Sequence, residues 1–346
     1  MASFSNIVEI ERDGELLLHV GAETSETAVT YRVCPRALAR AAKFFQTLLY
    51  GPWAEGKRPD GDWVVELPED KPSAVVQILL VVHSQFDKAF ADASGVKHGG
   101  LAALYDVAVL SDKYDLVHLL RPWLPRLKGE SRPNPGPDIY SMEGNVFKLE
   151  RMYRVSIEKD LFVAWEIGDS ARVRQCITDI ALRSRWMKGK LVHASRSSLC
   201  DLFLHVMEPT GVRDIIAKTR RAIVSSILKH LEKAISNLAD SNGKFASDSY
   251  LCCKLYNSAN SDWRRCHATV LGSLIQGLAK LDRLIRELNE IKVLRHTSHT
   301  RCKQEGVWLD PQREPKLFDF EPKVEFNDAQ TQHLKTQAGK SGINDL

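Results

Sequence analysis

The sequence predicts an α+β domain of short strands and clustered helices, followed by an all-α region. Short apolar segments with strand-like composition occur before residue 68. Beyond residue 148, apolar residues recur at intervals of three and four, which is typical of amphipathic helices. Between them lies KGESRPNPGPD at residues 128–138, whose prolines and glycine cannot sustain regular structure. The chain is therefore expected to contain two structured regions joined by a proline-rich linker.

The predicted α+β domain occupies residues 1–127. Pro35 suits the first turn of a helix, and Gly51-Pro52 ends the helix that follows it. Asp70 is expected to cap the helix that begins near Pro72, and that helix is apolar on nearly every side, which predicts a central, buried position. The predicted elements are strands at 16–20, 28–33 and 63–67, and helices at 36–42, 44–49, 72–82, 101–116 and 117–127.

The remainder is predicted to consist of a linker at residues 128–147, a helical region at 148–302 and a largely irregular tail at 303–346. One helix is expected to end at Gly168, after which Asp169 caps the next. A long helix is predicted at 212–238. A heptad-like spacing at 264–294 is too short for an established coiled coil and favours one seam of a helix bundle.

Composition restricts the possible classes of protein. The chain has 346 residues, 44% of them apolar, and a net charge of +4, which is too small to indicate nucleic acid by itself. Seven scattered cysteines favour reduced thiols over a secreted disulfide framework. The first residues contain neither a basic start nor an apolar core, so no signal peptide is expected, and the longest apolar run, 75–82, is too short to span a bilayer. We expect a protein of the cytoplasm or nucleus without a membrane partner.

Three sequence blocks resemble a BTB/POZ domain of the type common in filamentous fungi. YRVCPRALARAAKFFQTLL is similar to the family's strand and helical hairpin, and DWVVELPEDKPSAVVQILLVVHSQFD to its next strand and central helix. LYDVAVLSDKYDLVHLLRPW is similar to the helix pair that closes the domain. The chain departs from the family's usual residues at Cys34, Ala42 and Asp13, which fall near the dimer and pocket region of better-studied members. The resemblance covers the first 127 residues and implies the fold of that part of the chain.

The resemblance implies protein–protein interaction rather than catalysis. Many members form homodimers, and some connect a cullin ubiquitin-ligase scaffold to a substrate. In the cullin-binding members a hydrophobic residue and a glutamate follow the helical hairpin, and Trp53 and Glu55 match that pattern here. An exposed tryptophan is a common interface anchor, and a carboxylate accepts charge-assisted hydrogen bonds. The main expectation is an interaction scaffold; the alternatives are a cullin adaptor that uses Trp53 and Glu55 and a transcription-linked scaffold.

A zinc site is a further hypothesis for the second region. Cys253, Cys266, His299 and Cys302 offer the four nitrogen or sulfur ligands that tetrahedral zinc requires. A straight helix at 264–294 would hold Cys266 and His299 about 45 Å apart, so the site requires a break in that helix. The alternative is buried free thiols and surface histidines.

No catalytic motif is present, and no enzyme is expected. The chain has no G-x-S-x-G elbow, P-loop, dinucleotide fingerprint or H-E-x-x-H helix. Cys176 and Cys200 have basic neighbours but are expected on apolar helix faces. Basic residues at 183–190 and 218–221 alternate with apolar ones, which favours solvated helix faces, so nucleic acid is not an expected partner.

Overall fold

The chain divides into two compact units that both contain helices and strands. Unit 1 comprises Met1–Cys176, His205–Pro209 and Phe326–Leu346, and unit 2 comprises Ile177–Leu204 and Thr210–Glu325. The mixture of helices and strands confirms the predicted α+β class. The computed structural model describes residues 7–52, 63–90, 100–124, 146–187, 189–194, 199–239 and 323–343.

Unit 1 contains a four-stranded sheet in the order β1-β3-β2-β4. Strand β2 is antiparallel to β3 and parallel to β4, while β1 runs parallel to β3. Leu16, Leu17 and Leu18 of β2 are all buried although successive side chains of a strand point to opposite faces, so both faces of this strand are covered. The strands are β1 (Ile7–Glu9), β2 (Leu16–Val20), β3 (Val29–Val33) and β4 (Trp63–Leu67).

The helices that surround this sheet follow the predicted order. Pro35 lies in the first turn of α1, where its missing N–H is not needed, and Gly51 ends α2. Most residues of α3 are buried, which confirms the predicted central helix. Of the helices that the structure describes, none combines the length and apolar composition needed to cross a bilayer. The elements are α1 (Pro35–Ala41), α2 (Lys43–Tyr50), α3 (Pro72–Val82), α4 (Gly100–Tyr114) and a 3-10 helix (Val117–Leu120).

Unit 1 continues beyond the predicted boundary. Helix α5 (Val146–Ile167) packs along α4, so the compact unit extends to Cys176 instead of ending near residue 127. Most of the predicted linker lies outside the described residues. Gly168 ends α5, and the Asp169 carboxylate accepts a hydrogen bond of 3.0 Å from the Arg172 amide at the start of α6 (Ser170–Arg183), as predicted.

The prediction of an all-α second region is wrong. Unit 2 contains an antiparallel sheet in the order β5-β6-β7, built from β5 (Ser184–Met187), β6 (Lys190–Ala194) and β7 (Leu199–Asp201). These strands are only three to five residues long, and Gly189 turns between the first two with a φ of 78°. Such short segments give no clear periodicity in the sequence. The predicted long helix is confirmed as α7 (Val212–Ala239), whereas the helix predicted at 264–294 lies outside the described residues.

The predicted irregular tail contains a helix, α8 (Asp328–Ser341), which packs on α5 in unit 1. Asn327 accepts a hydrogen bond from the Gln330 amide, and the Gln330 side chain accepts one from the Asn327 amide. This capping box satisfies two N–H groups that the first helical turn leaves unpaired. The helix has few apolar residues, which explains why its sequence resembles an irregular segment.

Candidate interaction site

Helix α2 presents exposed aromatic side chains on the surface of unit 1. Its inner face carries Phe45 and Leu49, which are buried in the core. Phe44 and Tyr50 lie outside that face and are 41% and 54% exposed. We refer to Phe44, Thr47 and Tyr50 as the α2 surface. Large aromatic side chains at this level of exposure are common anchors of protein interfaces.

Buried rings support both aromatic residues of the α2 surface. The ring of Tyr114, from the end of α4, lies 4.7 Å from that of Phe44 and 5.1 Å from that of Phe45. The ring of Trp63, at the start of β4, lies 6.0 Å from that of Tyr50 in an edge-to-face arrangement. Because Tyr114 and Trp63 are buried, the exposed rings rest on well-packed neighbours and lose little conformational freedom on binding a partner.

A buried acid holds Tyr114 in place. The Asp70 carboxylate is only 4% exposed; it accepts a hydrogen bond from the Tyr114 hydroxyl and another, at 2.7 Å, from Lys113 Nζ. Burial and the Asp70 carboxylate together raise the pKa of Tyr114 far above its ordinary value, so the hydroxyl remains a donor. The predicted capping role of Asp70 is wrong: Lys71 occupies the N-cap position of α3 without a side-chain cap. Asp70 instead joins the start of α3 to the end of α4.

Replacing Tyr114 with phenylalanine is expected to destabilise the chain by about 2 kcal/mol, since it removes a charge-assisted hydrogen bond and leaves a buried carboxylate with one donor fewer. Urea unfolding measures the change. Tyr50→Phe is the matched control, because the Tyr50 side chain is exposed and its hydroxyl should contribute less than about 0.5 kcal/mol. Equal stability of the two variants would contradict the assigned role of Asp70.

The interaction residues predicted from the sequence, Trp53 and Glu55, lie outside the described residues. They follow α2 and the described pair Gly51-Pro52 directly in the sequence. Their proposed contact with a cullin stays a prediction. Tyr50, three residues before Trp53, was not singled out by the sequence, although its position off the buried face of the helix follows from helical periodicity.

The predicted zinc ligands Cys253, Cys266, His299 and Cys302 also lie outside the described residues. Within the part of the chain that the structure describes, no group of three or more His, Cys, Asp or Glu side chains is placed to hold a metal ion. The zinc hypothesis therefore stays a prediction about the region at 253–302.

The described cysteines occupy different environments. Cys176 is buried on α6, as predicted, and its thiol lies 3.7 Å from the Asp160 carboxylate, which also pairs with the guanidinium of Arg172. Cys200 lies on strand β7 rather than on the predicted helix face and is partly exposed. The error has the same cause as the all-α prediction, since the short strand carries no recognisable pattern.

Unit 1 also contains a buried polar cluster where α8 meets α5. Glu166 is buried; it accepts a hydrogen bond of 3.4 Å from the Gln337 amide, and its Oε1 lies 4.0 Å from His333 Nε2. Burial, reinforced by the nearby carboxylate of Asp112, raises the pKa of Glu166 to about 8, and Lys340 opposes the rise. Burial lowers the pKa of His333. Near neutral pH, both Glu166 and His333 are therefore biased toward their neutral forms.

Aromatic and backbone contacts strengthen the attachment of α8. The His333 ring stacks on Trp165 with 5.1 Å between centroids and 21° between planes. The Ser341 hydroxyl donates a hydrogen bond of 2.6 Å to the Ile167 carbonyl. The polar sequence of the tail gave no sign of these contacts, although Asn327 and Gln330 carry the spacing of a capping box.

Comparison of the chain with protein-family models, with curated proteins and with solved structures finds no match.

Proposed function

We propose that this chain is an intracellular, non-enzymatic interaction scaffold that binds protein partners through an N-terminal BTB/POZ-like domain. The main support is the order and pairing of its elements from Leu16 to Leu120. An antiparallel strand pair leads into a hairpin of two short helices, a third strand, a buried helix and a closing helical pair. This is the order that the sequence resemblance implies. The function is therefore assigned to surfaces, and no residue is given a catalytic role.

The α2 surface is the part of this domain best suited to bind a partner. Phe44 and Tyr50 are exposed and supported by buried rings, so their burial by a partner gains apolar contact at a small cost in side-chain entropy. The segment from residue 27 to 54 contains four basic residues and no acidic one, namely Arg32, Arg36, Arg40 and Lys43. A partner with an apolar segment flanked by acidic side chains would match both properties.

Removing one exposed ring should distinguish this surface from the rest of unit 1. Tyr50→Ala is expected to reduce recovery of the bound partners at least tenfold in affinity purification of the tagged full-length chain from its native cells, as for other aromatic interface anchors. Phe86→Ala is the matched control: Phe86 is 57% exposed and rests on Trp123 at 5.9 Å, much as Tyr50 rests on Trp63. Equal loss of partners in the two variants would contradict a role for α2.

The cullin-adaptor hypothesis is tested in the same purification. If the chain is an adaptor, a cullin should be recovered with the wild type and lost with Trp53→Ala/Glu55→Arg. Partners recovered without any cullin would support a general scaffold and remove the adaptor hypothesis. A sedimentation measurement that gives a monomeric mass at micromolar concentration would exclude a stable homodimer.

A further inference from the structure

Positive charge is concentrated in unit 2. Residues 177–204 and 210–239 together contain eleven lysines and arginines but only four aspartates and glutamates. The whole chain has a net charge of only +4, so the remainder of the chain is net negative. Such an uneven distribution favours an anionic partner for this part of the molecule more strongly than the overall charge does.

Part of this charge forms a stripe along α7. Lys218, Arg221, Ser225 and Lys229 are all exposed and follow each other at intervals of three and four residues, which places them on one face of the helix. Lys218 and Lys229 are separated by about 16 Å along the helix axis. Within the described part of unit 2, neither lysine forms an ion pair with an acidic side chain.

The neighbouring arginine has a different role. Arg220 is only 2% exposed, donates a hydrogen bond of 2.9 Å to the Ala181 carbonyl, and has its pKa lowered to about 10 by burial. It connects α7 to the residues just before β5. The sequence alone groups Arg220 with Lys218 and Arg221, whereas the structure separates one buried structural arginine from an exposed basic stripe.

An exposed tryptophan lies beside the stripe. Trp186 on β5 is 45% exposed, and the guanidinium of Arg221 lies 5.8 Å from the centroid of its ring. The contact links the β5–β6 hairpin to the exposed face of α7 and combines positive charge with an accessible aromatic ring. Lys190, also exposed, follows the turn of the same hairpin.

We infer that unit 2 binds single-stranded nucleic acid, with the α7 stripe contacting phosphates and Trp186 stacking on a base. Lysine and arginine neutralise phosphates, and a solvent-accessible aromatic ring supports an unpaired base without selecting its sequence. A duplex keeps its bases stacked inside and offers nothing to Trp186. An acidic peptide would use the lysines but would not need the ring. The inference does not depend on the proposed role of the N-terminal domain, and it differs from the expectation that these basic residues are only solvated faces.

Fluorescence anisotropy of a labelled single-stranded oligonucleotide with the full-length chain tests the inference. Binding is expected at about 50 mM salt and should weaken as salt rises, because counterions are released from the strand. Lys218→Glu/Lys229→Glu should weaken binding at least tenfold and reduce the slope of log affinity against log salt by about 1.4, the value for two phosphate contacts. Arg12→Glu/Lys335→Glu, the same charge change at exposed positions of unit 1, should leave binding within about twofold of the wild type.

The role of Trp186 is tested separately. Trp186→Ala should weaken binding about tenfold, and Trp186→Phe should restore most of it, since either aromatic ring can stack on a base. No binding at low salt would overturn the inference, as would equal effects of the two charge-reversal variants. Tighter binding of a duplex with no effect of Trp186→Ala would show an unspecific electrostatic surface instead. Polyglutamate can be added as a competitor that carries the same concentration of negative charges as the oligonucleotide. If it displaces the oligonucleotide, the partner is an acidic protein and the inference is overturned.

Discussion

Replacing Gly168 with alanine is expected to detach helix α8 from unit 1 and to destabilise that unit by about 3 kcal/mol. Gly168 has a φ of 78°, in the left-handed region, where a side chain costs about 1 kcal/mol. A Cβ atom at this position would also lie 2.2 Å from the amide nitrogen of Ala338 and 2.6 Å from the carbonyl oxygen of Leu334. Both are backbone atoms of α8, so the helix itself must move. Overpacking of this kind reduces the free energy of unfolding by a further amount of about 1–3 kcal/mol.

Two other glycines separate the contributions to this effect. Gly189 also has a φ of 78°, but a Cβ there would meet nothing within 4 Å, so Gly189→Ala should show the backbone cost alone. Gly339 lies within α8, where an added Cβ is equally free, and Gly339→Ala should stabilise the helix by about 0.5–1 kcal/mol.

Hydrogen exchange over residues 328–341 measures the detachment directly. Gly168→Ala should remove most of the protection of these amides, whereas Gly189→Ala should leave it unchanged. If the amides of α8 are equally protected from exchange in the two variants, the close approach of Gly168 to α8 does not hold the helix in place.

The attachment of α8 is also expected to weaken as the pH rises from about 5 to about 9. Glu166 has its pKa raised to about 8 in the folded chain, whereas the pKa of a glutamate in the unfolded chain is about 4.3. Between these values the folded state binds more protons than the unfolded state, so stability falls as pH rises. The loss is complete above about pH 8 and amounts to a few kcal/mol, on the order of the free energy of the pKa difference.

His333 acts in the opposite direction on the acidic side. Its pKa is lowered by burial, so the folded state favours the neutral imidazole. Stability is therefore present above the ordinary histidine pKa of about 6.5 and is lost as the pH falls through the lowered value. The two dependences therefore offset each other just below about pH 6.5, and the loss of stability caused by Glu166 is seen alone above that pH.

A carboxamide at position 166 should remove the alkaline part of this dependence. Glu166→Gln keeps the size and hydrogen-bonding capacity of the side chain but cannot ionise. The free energy of unfolding, measured with urea at about pH 6 and about pH 9, should therefore differ far less between the two pH values than in the wild type. Glu23→Gln, an exposed glutamate of unit 1, should retain the wild-type dependence. A wild-type pH profile in Glu166→Gln would show that another group titrates instead.

Where structure depends on local pattern, the sequence predicted it well. The strand pair at 16–33, the short helical hairpin, the buried helix α3 and the long helix α7 each carry their own apolar periodicity or a Pro or Gly signal. The Asp169 cap and the end of α5 at Gly168 were also predicted, because capping depends on residues within one turn of the helix end.

Tertiary structure decided the features that depend on distant residues. Asp70 has the local signature of a helix cap. Its carboxylate instead accepts hydrogen bonds from Lys113 and Tyr114, which are more than forty positions away in the sequence. The strands β5–β7 are too short to show periodicity and exist because they pair with each other. Helix α8 is polar in sequence and is stable because Trp165, Glu166 and Ile167 offer it a complementary surface. Local pattern thus determined most of the N-terminal elements of this protein. The contact between Tyr50 and Trp63, the link between Trp186 and Arg221 and the docking of α8 required the folded chain, because each depends on neighbours that are remote in the sequence.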